Sequence, residues 1–218
     1  MSDFFKIGLL VYILYLPIFL LLLIYGARKK YRRYSVLTFW VSNLGEKKAA
    51  SHYIFNACFL IFAFLNLFFL KGLFEIMPDL ILSKIALYFF ALSIVALILI
   101  VFLPMDKRPK VHQVIASSLF IGMSGFILFS IYPVYVSEVL PRFLVLLNVI
   151  ILIFVSLTAF TFKKLLSKYG APALTDLVGE RKKENSLLLK NATLWEWATF
   201  VSSLLWFFVS AIFIYGGL

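Results

Sequence analysis

A few polar side chains stand apart in a sequence that has little polarity to spare: Ser42, Asn43, His52, Asn56, Asp106, His112, Gln113 and Glu196. A histidine, a carboxylate and a hydroxyl are the parts of a nucleophilic hydrolase or transferase. In that reading His112 is the general base, Asp106 orients it and Ser42 is the nucleophile, while Asn43 or Asn56 donates to an oxyanion. His52, His112 and Asp106 would also suffice as ligands for an open zinc site, but their spacing is not diagnostic, and neither a metal nor a cofactor is assigned. A binding role asks less of the same set. Asn43, Gly45, His52, Asn56 and Glu196 would hold a polar headgroup at a membrane surface, and His52 and Asn56, four residues apart, share one helix face.

Each residue has a structural reading as well. Histidine and tryptophan at the end of a membrane span sit well at the headgroups, where one edge is wet and the other apolar. Glu196, near the expected start of a helix, complements the helix dipole. Ser42 or Asn43 caps a turn, and Asp106 is a solvated loop charge.

The elements that must position these residues are unusually plain. Of the 218 residues, 63% are hydrophobic and 14% charged, and the mean hydropathy is +1.02. A soluble domain of this size has no way to hide so much apolar surface. The apolar residues gather in six runs, about 5–26, 52–71, 82–103, 112–136, 142–163 and 193–216. Each approximates the ~20 residues that a helix needs to cross ~30 Å of hydrocarbon. In that medium an unpaired backbone amide costs several kcal/mol, so the helix is the state these runs must take. The expected architecture is all-α: one integral membrane bundle of six transmembrane helices over residues 1–218, with no soluble domain.

Cations sort the connections into two kinds. All the Lys and Arg residues except Lys6, Lys71, Lys84, Arg142 and Lys163, the last residue of the fifth run, belong to the connections numbered one, three and five, here 27–51, 104–111 and 164–192. Cytoplasmic loops are enriched in Lys and Arg, so these three are expected in the cytoplasm and both termini outside, in the cell membrane. The first apolar run is followed by Arg28-Lys29-Lys30 and not by a small-residue cleavage site, which reads as a retained anchor rather than a secretory signal. The net charge of +11 attracts anionic lipid at ~1 kcal/mol per residue near the surface. Membrane lipids are therefore the expected partners. Nucleic acid is not, because no reading module or aromatic-interleaved basic domain accompanies the charge. The oligomeric state is not readable.

Finer features follow from local chemistry. Pro17 removes a backbone donor in mid-span. The aromatic stretch Tyr34 to Val41 is too short to cross and is expected at the interface or folded back on the bundle. In the fifth connection, Leu187-Leu188-Leu189 suggests a short surface helix. Asn66 and Asn148, single amides in apolar runs, suit hydrogen bonds between helices, and Ser118, Gly122 and Gly125 suit close helix contact. The lone cysteine, Cys58, excludes an internal disulfide and reads as a packing residue.

Several of these residues together resemble a prokaryotic family known as domain of unknown function 998, six-helix membrane proteins similar in layout to the eukaryotic Frag, DRAM and Sfk group. The resemblance rests on Ser42-Asn43-Leu44-Gly45, on Phe55-Asn56, on Phe102-Leu103-Pro104-Met105-Asp106 and on His112. The sequence departs from the family pattern in the extra Leu103 and in Asn43, where many members carry an acidic residue. The resemblance implies the six-helix layout and, through the eukaryotic relatives, the handling of lipids or lipid anchors. It implies no established activity. The reading that results is a polytopic membrane protein, a non-enzymatic lipid-binding, sensing or assembly module with a polar cluster at one interface. The alternative is a membrane-embedded lipid-modifying hydrolase or transferase using His112, Asp106 and Ser42.

The orientation has a direct test. A cysteine replacing Lys30 should stay unlabelled by a membrane-impermeant maleimide added to intact cells, and strong labelling from outside would reverse the topology.

Overall fold

The structure, a computed structural model, describes residues 3–30, 41, 44, 52–103, 108–169 and 187–217. Six helices account for nearly all of them: α1 (Asp3–Lys30), α2 (His52–Ile76), α3 (Ile81–Phe102), α4 (Pro109–Val136), α5 (Phe143–Tyr169) and α6 (Leu187–Gly217). All six are long and apolar enough to cross a membrane, and no strand occurs among the described residues. The outward faces say the same thing as the lengths. Leu14, Leu21, Phe64, Tyr88, Ile121, Leu146 and Leu205 are exposed around the circumference. Water would penalise such a coat, whereas lipid tails accept it without cost.

Because lipid is as apolar as leucine, burial alone does not draw the helices together, and close packing and hydrogen bonds must. The helices neighbour one another in chain order, α6 returns to α1, and α2 also reaches α6 across the interior. Glycine makes the tightest seam. A Cβ on Gly122 of α4 would collide with Ser93 Oγ of α3 and lie 2.9 Å from the Phe89 carbonyl, and one on Gly125 would lie 2.5 Å from the Phe89 ring. Ser118, one turn earlier, instead bonds its own helix at the Val114 carbonyl, 3.0 Å away.

Polar ties join other seams. Tyr12 on α1 donates to Asn66 Oδ1 on α2 (2.9 Å), and Asn66 Nδ2 donates to the Phe62 carbonyl (2.8 Å). Tyr15 donates to the Cys58 carbonyl (2.7 Å). Asn148 on α5 donates to Ser130 Oγ on α4 (3.1 Å), so both lone amides serve the interhelical role expected of them. Thr158 and Thr199 meet at 3.4 Å between α5 and α6.

At the centre, aromatic rings from four helices lock together. Trp206 of α6 meets Phe126 of α4 and Phe69 of α2 edge-on, at centroid distances of 5.1 and 6.2 Å. Phe90 of α3 packs on Phe126 at 4.8 Å and on Phe207 of α6 at 5.5 Å. Edge-on and tilted arrangements suit the ring quadrupole and add ~0.5–1.5 kcal/mol per pair beyond area burial.

At one end the connections are short. Residues 77–80 link α2 to α3, and residues 137–142 link α4 to α5. In the first, Lys84 Nζ lies 2.7 Å from Asp79 Oδ1, and its hydrogen bond and charge hold the Asp79 carboxyl below the usual carboxylate range. In the second, Ser137 Oγ accepts from the backbone amides of Val139 and Leu140. The basic connections lie at the other end, and most of their residues fall outside the described set.

One boundary corrects the sequence reading. Leu187-Leu188-Leu189 is the first turn of α6 and not a separate surface helix, since nothing between Leu187 and the span interrupts the helical ladder. Glu196 is thus more than two turns inside α6. The dipole acts only within the first turn, so it does not explain a carboxylate there.

Two substitutions test this account. Gly122→Leu should destabilise the bundle by ~1–3 kcal/mol through overpacking against α3. Tyr12→Phe should cost ~0.6–2 kcal/mol by removing the donor to Asn66. Both are measurable as shifts in SDS-induced unfolding in mixed micelles, followed by circular dichroism. An unchanged midpoint for either variant would mean that its seam does not hold the fold.

Candidate functional site

Between the aromatic centre and the end that carries the basic connections, the bundle does not fill. A cavity of about 160 Å³ lies among α2, α3, α4 and α6, and neither α1 nor α5 lines it. The walls are mostly aromatic and aliphatic, with Phe55, Phe59 and Phe62 from α2, Ile94 and Leu97 from α3, Leu119 and Phe120 from α4, and Phe200 and Leu204 from α6. Phe90 and Phe207 form its floor, and the Trp206 cluster seals the space beneath them. Phe90, Phe207 and Trp206 are each held edge-on or tilted against rings of another helix, which fixes the floor of the space.

Polar groups gather at the opposite end of the cavity. Asn56, His112 and Glu196 all line it, brought from α2, α4 and α6. His112 is buried, and its Nδ1 stands 2.7 Å from the Leu103 carbonyl. A carbonyl only accepts, so Nδ1 carries a proton and donates to it. Leu103 thereby orients the ring, and Asp106, to which the sequence reading gives that role, lies outside the described residues. Asn56 Nδ2 donates to His52 Nδ1 (3.0 Å), one turn earlier on the same face. His52 itself does not line the cavity.

Glu196 takes a different part. Its Oε2 accepts from the Val41 amide at 3.1 Å, across 155 residues of chain. Val41 and Leu44 are buried, so the first connection folds back onto the bundle here, and Val41 forms part of the cavity's rim. The carboxylate and the chain it fixes define that end of the space.

Deeper in, Ser203 lines the cavity and is 8% exposed. Its hydroxyl has no hydrogen-bond partner among the described residues. Its neighbours behave otherwise, Ser202 bonding back to the Ala198 carbonyl (2.7 Å) and Thr199 to the Trp195 carbonyl (2.8 Å). Ser203 thus adds a hydroxyl to the polar groups of Asn66, Ser93 and Thr199 that also line the chamber below the rim. Sequence reasoning missed it. The available signal was the recurrence of Glu196, Thr199, Ser203 and Ser210 along one helical stripe, a spacing of three to seven residues that marks a single face.

The remaining predicted site residues, Ser42, Asn43, Gly45 and Asp106, lie outside the described residues. Among the described residues no group of three His, Cys, Asp or Glu side chains converges as a metal site. What the described geometry provides is a small apolar chamber with a hydrogen-bonding rim, a shape that fits an amphiphile.

No curated protein and no solved structure matches this chain. A family model does, that of a protein of unknown function, DUF998, over residues 13–213, from the middle of α1 to the last turns of α6. With nearly the whole bundle inside that match, the chain belongs to the DUF998 family.

Proposed function

We propose that this protein is a non-enzymatic module that binds one amphiphile of the cell membrane, its tail in the chamber and its polar group at the rim. The chamber itself carries this reading. An apolar cavity of ~150 Å³ accepts one benzene, so about 160 Å³ suits a single ring or a chain segment of about six carbons. A diacyl lipid would have to leave its second chain in the bilayer.

The rim matches a headgroup better than it matches a reaction. Asn56 and His112 both present hydrogen-bonding groups, and Glu196 is engaged with the Val41 amide, which makes it a fixture of the wall. The basic connections next to the rim favour an anionic or zwitterionic headgroup. In this reading those connections face the cytoplasm and both termini lie outside, so the ligand comes from the inner leaflet.

Filling the chamber is the test. Ser203→Phe places a ring in a space the size of one ring, and Ser203→Leu does the same less severely. Native mass spectrometry of gently purified wild-type protein should show one retained lipid. Ser203→Leu should reduce that adduct at least severalfold and Ser203→Phe should abolish it, with thermal unfolding in detergent unchanged for the leucine variant. A bare wild-type protein, or equal retention by stably folded variants, would refute lipid binding in this chamber.

A further inference from the structure

Burial changes along α4 in a way that a single mouth at the rim does not explain. The inward stripe of α4 is sealed in its far half, where Phe126, Ile127, Ser130 and Val134 are each 0% exposed. At its near end His112 is 6% exposed. Between these sealed stretches, Ala116, Leu119, Phe120 and Met123 are all partly accessible. Side chains more accessible below His112 than His112 itself, and sealed again at Phe126, point to access from the side.

Lining the cavity does not by itself make a side chain accessible. On the facing walls Phe59, Phe62 and Ile94 line the same space and remain buried. The α3 side of α4 is closed by the Gly122 and Gly125 contacts with Ser93 and Phe89. That leaves the seam between α4 and α5. There the polar tie, Asn148 to Ser130, lies in the far half only. In the near half α5 turns its buried face to α6, through Thr158 against Thr199 and Phe154 stacked on Trp195 at 5.9 Å. Helix α4 thus loses its cover just where the chamber lies behind it.

We infer that the α4–α5 seam is a lateral portal through which a lipid of the leaflet beside the basic connections inserts one acyl chain into the chamber. This deepens the proposed binding function and rests on it. A chain takes this path because both sides of the portal are hydrocarbon: the bilayer outside and phenyl walls inside. No headgroup need cross an apolar barrier, since the headgroup stays at the interface while the tail swings in. The portal also explains how a chamber for about six carbons serves a larger lipid, the rest of the molecule remaining in the membrane.

Spin-label accessibility in liposomes tests the portal separately from binding. On a Cys58→Ala background, single nitroxides at Leu119, Phe120 and Met123 are compared with the lipid-facing Ile121 and the sealed Ser130. Collision with oxygen, which concentrates in hydrocarbon, should be about as frequent at Phe120 and Met123 as at Ile121 and severalfold higher than at Ser130. Collision with a water-soluble nickel chelate should be low throughout. Low oxygen accessibility at all three stripe positions would mean a sealed seam, and high nickel accessibility would mean an aqueous mouth; either result overturns the portal.

A second measurement needs no variant. A phosphatidylcholine with a diazirine near its acyl terminus should, after illumination, label wild-type peptides at Ala116 to Met123 on the cavity side. Labelling confined to outward positions such as Val114, Ile121 and Leu128 would also refute the portal. Lipid retained in native mass spectrometry despite a sealed stripe would leave the binding function standing and remove only the lateral route.

Discussion

The interlocked rings of Phe69, Phe90, Phe126, Trp206 and Phe207 are the constraint on which the rest of this bundle depends. In hydrocarbon no solvent pressure forces helices together, so contact geometry has to do so. Rings set edge-on against one another need partners on other helices, and four helices supply them at one depth. Toward the short connections the inward residues Phe126, Ile127, Ser130 and Val134 of α4 are fully buried. Toward the basic connections the same bulky rings hold α2, α3, α4 and α6 apart, and the chamber is the space that results.

Around that centre the seams are unequal, and their inequality has chemical causes. Glycine brings α3 and α4 into backbone contact, and Tyr12 and Asn66 join α1 to α2. Threonines and stacked rings join α5 to α6. Between α4 and α5 the polar tie among the described residues is an amide placed far from the chamber. A closed half and an open half thus coexist in one short bundle, with the polar rim at the open half.

Much of the fold was legible because hydropathy in a membrane leaves few alternatives: a run such as Ile81 to Phe102 has no other stable state. Asn66, Asn148 and Gly122 were legible for the same reason, since an amide or a glycine amid leucines and phenylalanines marks a contact. The start of α6 was not. Leu187 to Leu189 precedes a charged and polar stretch, and hydropathy alone does not show that the helix runs through it. Asn56, His112 and Glu196 were visible as polar residues near span ends, but the role of Glu196 depends on Val41, which is remote in sequence. Ser203 was invisible beside Ser202, because one residue turns a helix by ~100° and only the neighbouring helices reveal which serine faces inward. The phenylalanine walls were hidden in plain view: in sequence, a phenylalanine that lines a void reads like one that fills it.

The central rings also act as a fulcrum. Glu196 lies ten residues from Trp206 along α6, a lever arm of ~15 Å, so a tilt of ~5° about the rings moves the rim by ~1.3 Å. The short links at residues 77–80 and 137–142 join the helices in pairs at the far end, and at the rim the Val41 amide is tied to Glu196. A tilt of α6 about the rings would therefore carry Glu196, and with it the chain at Val41, toward or away from the chamber.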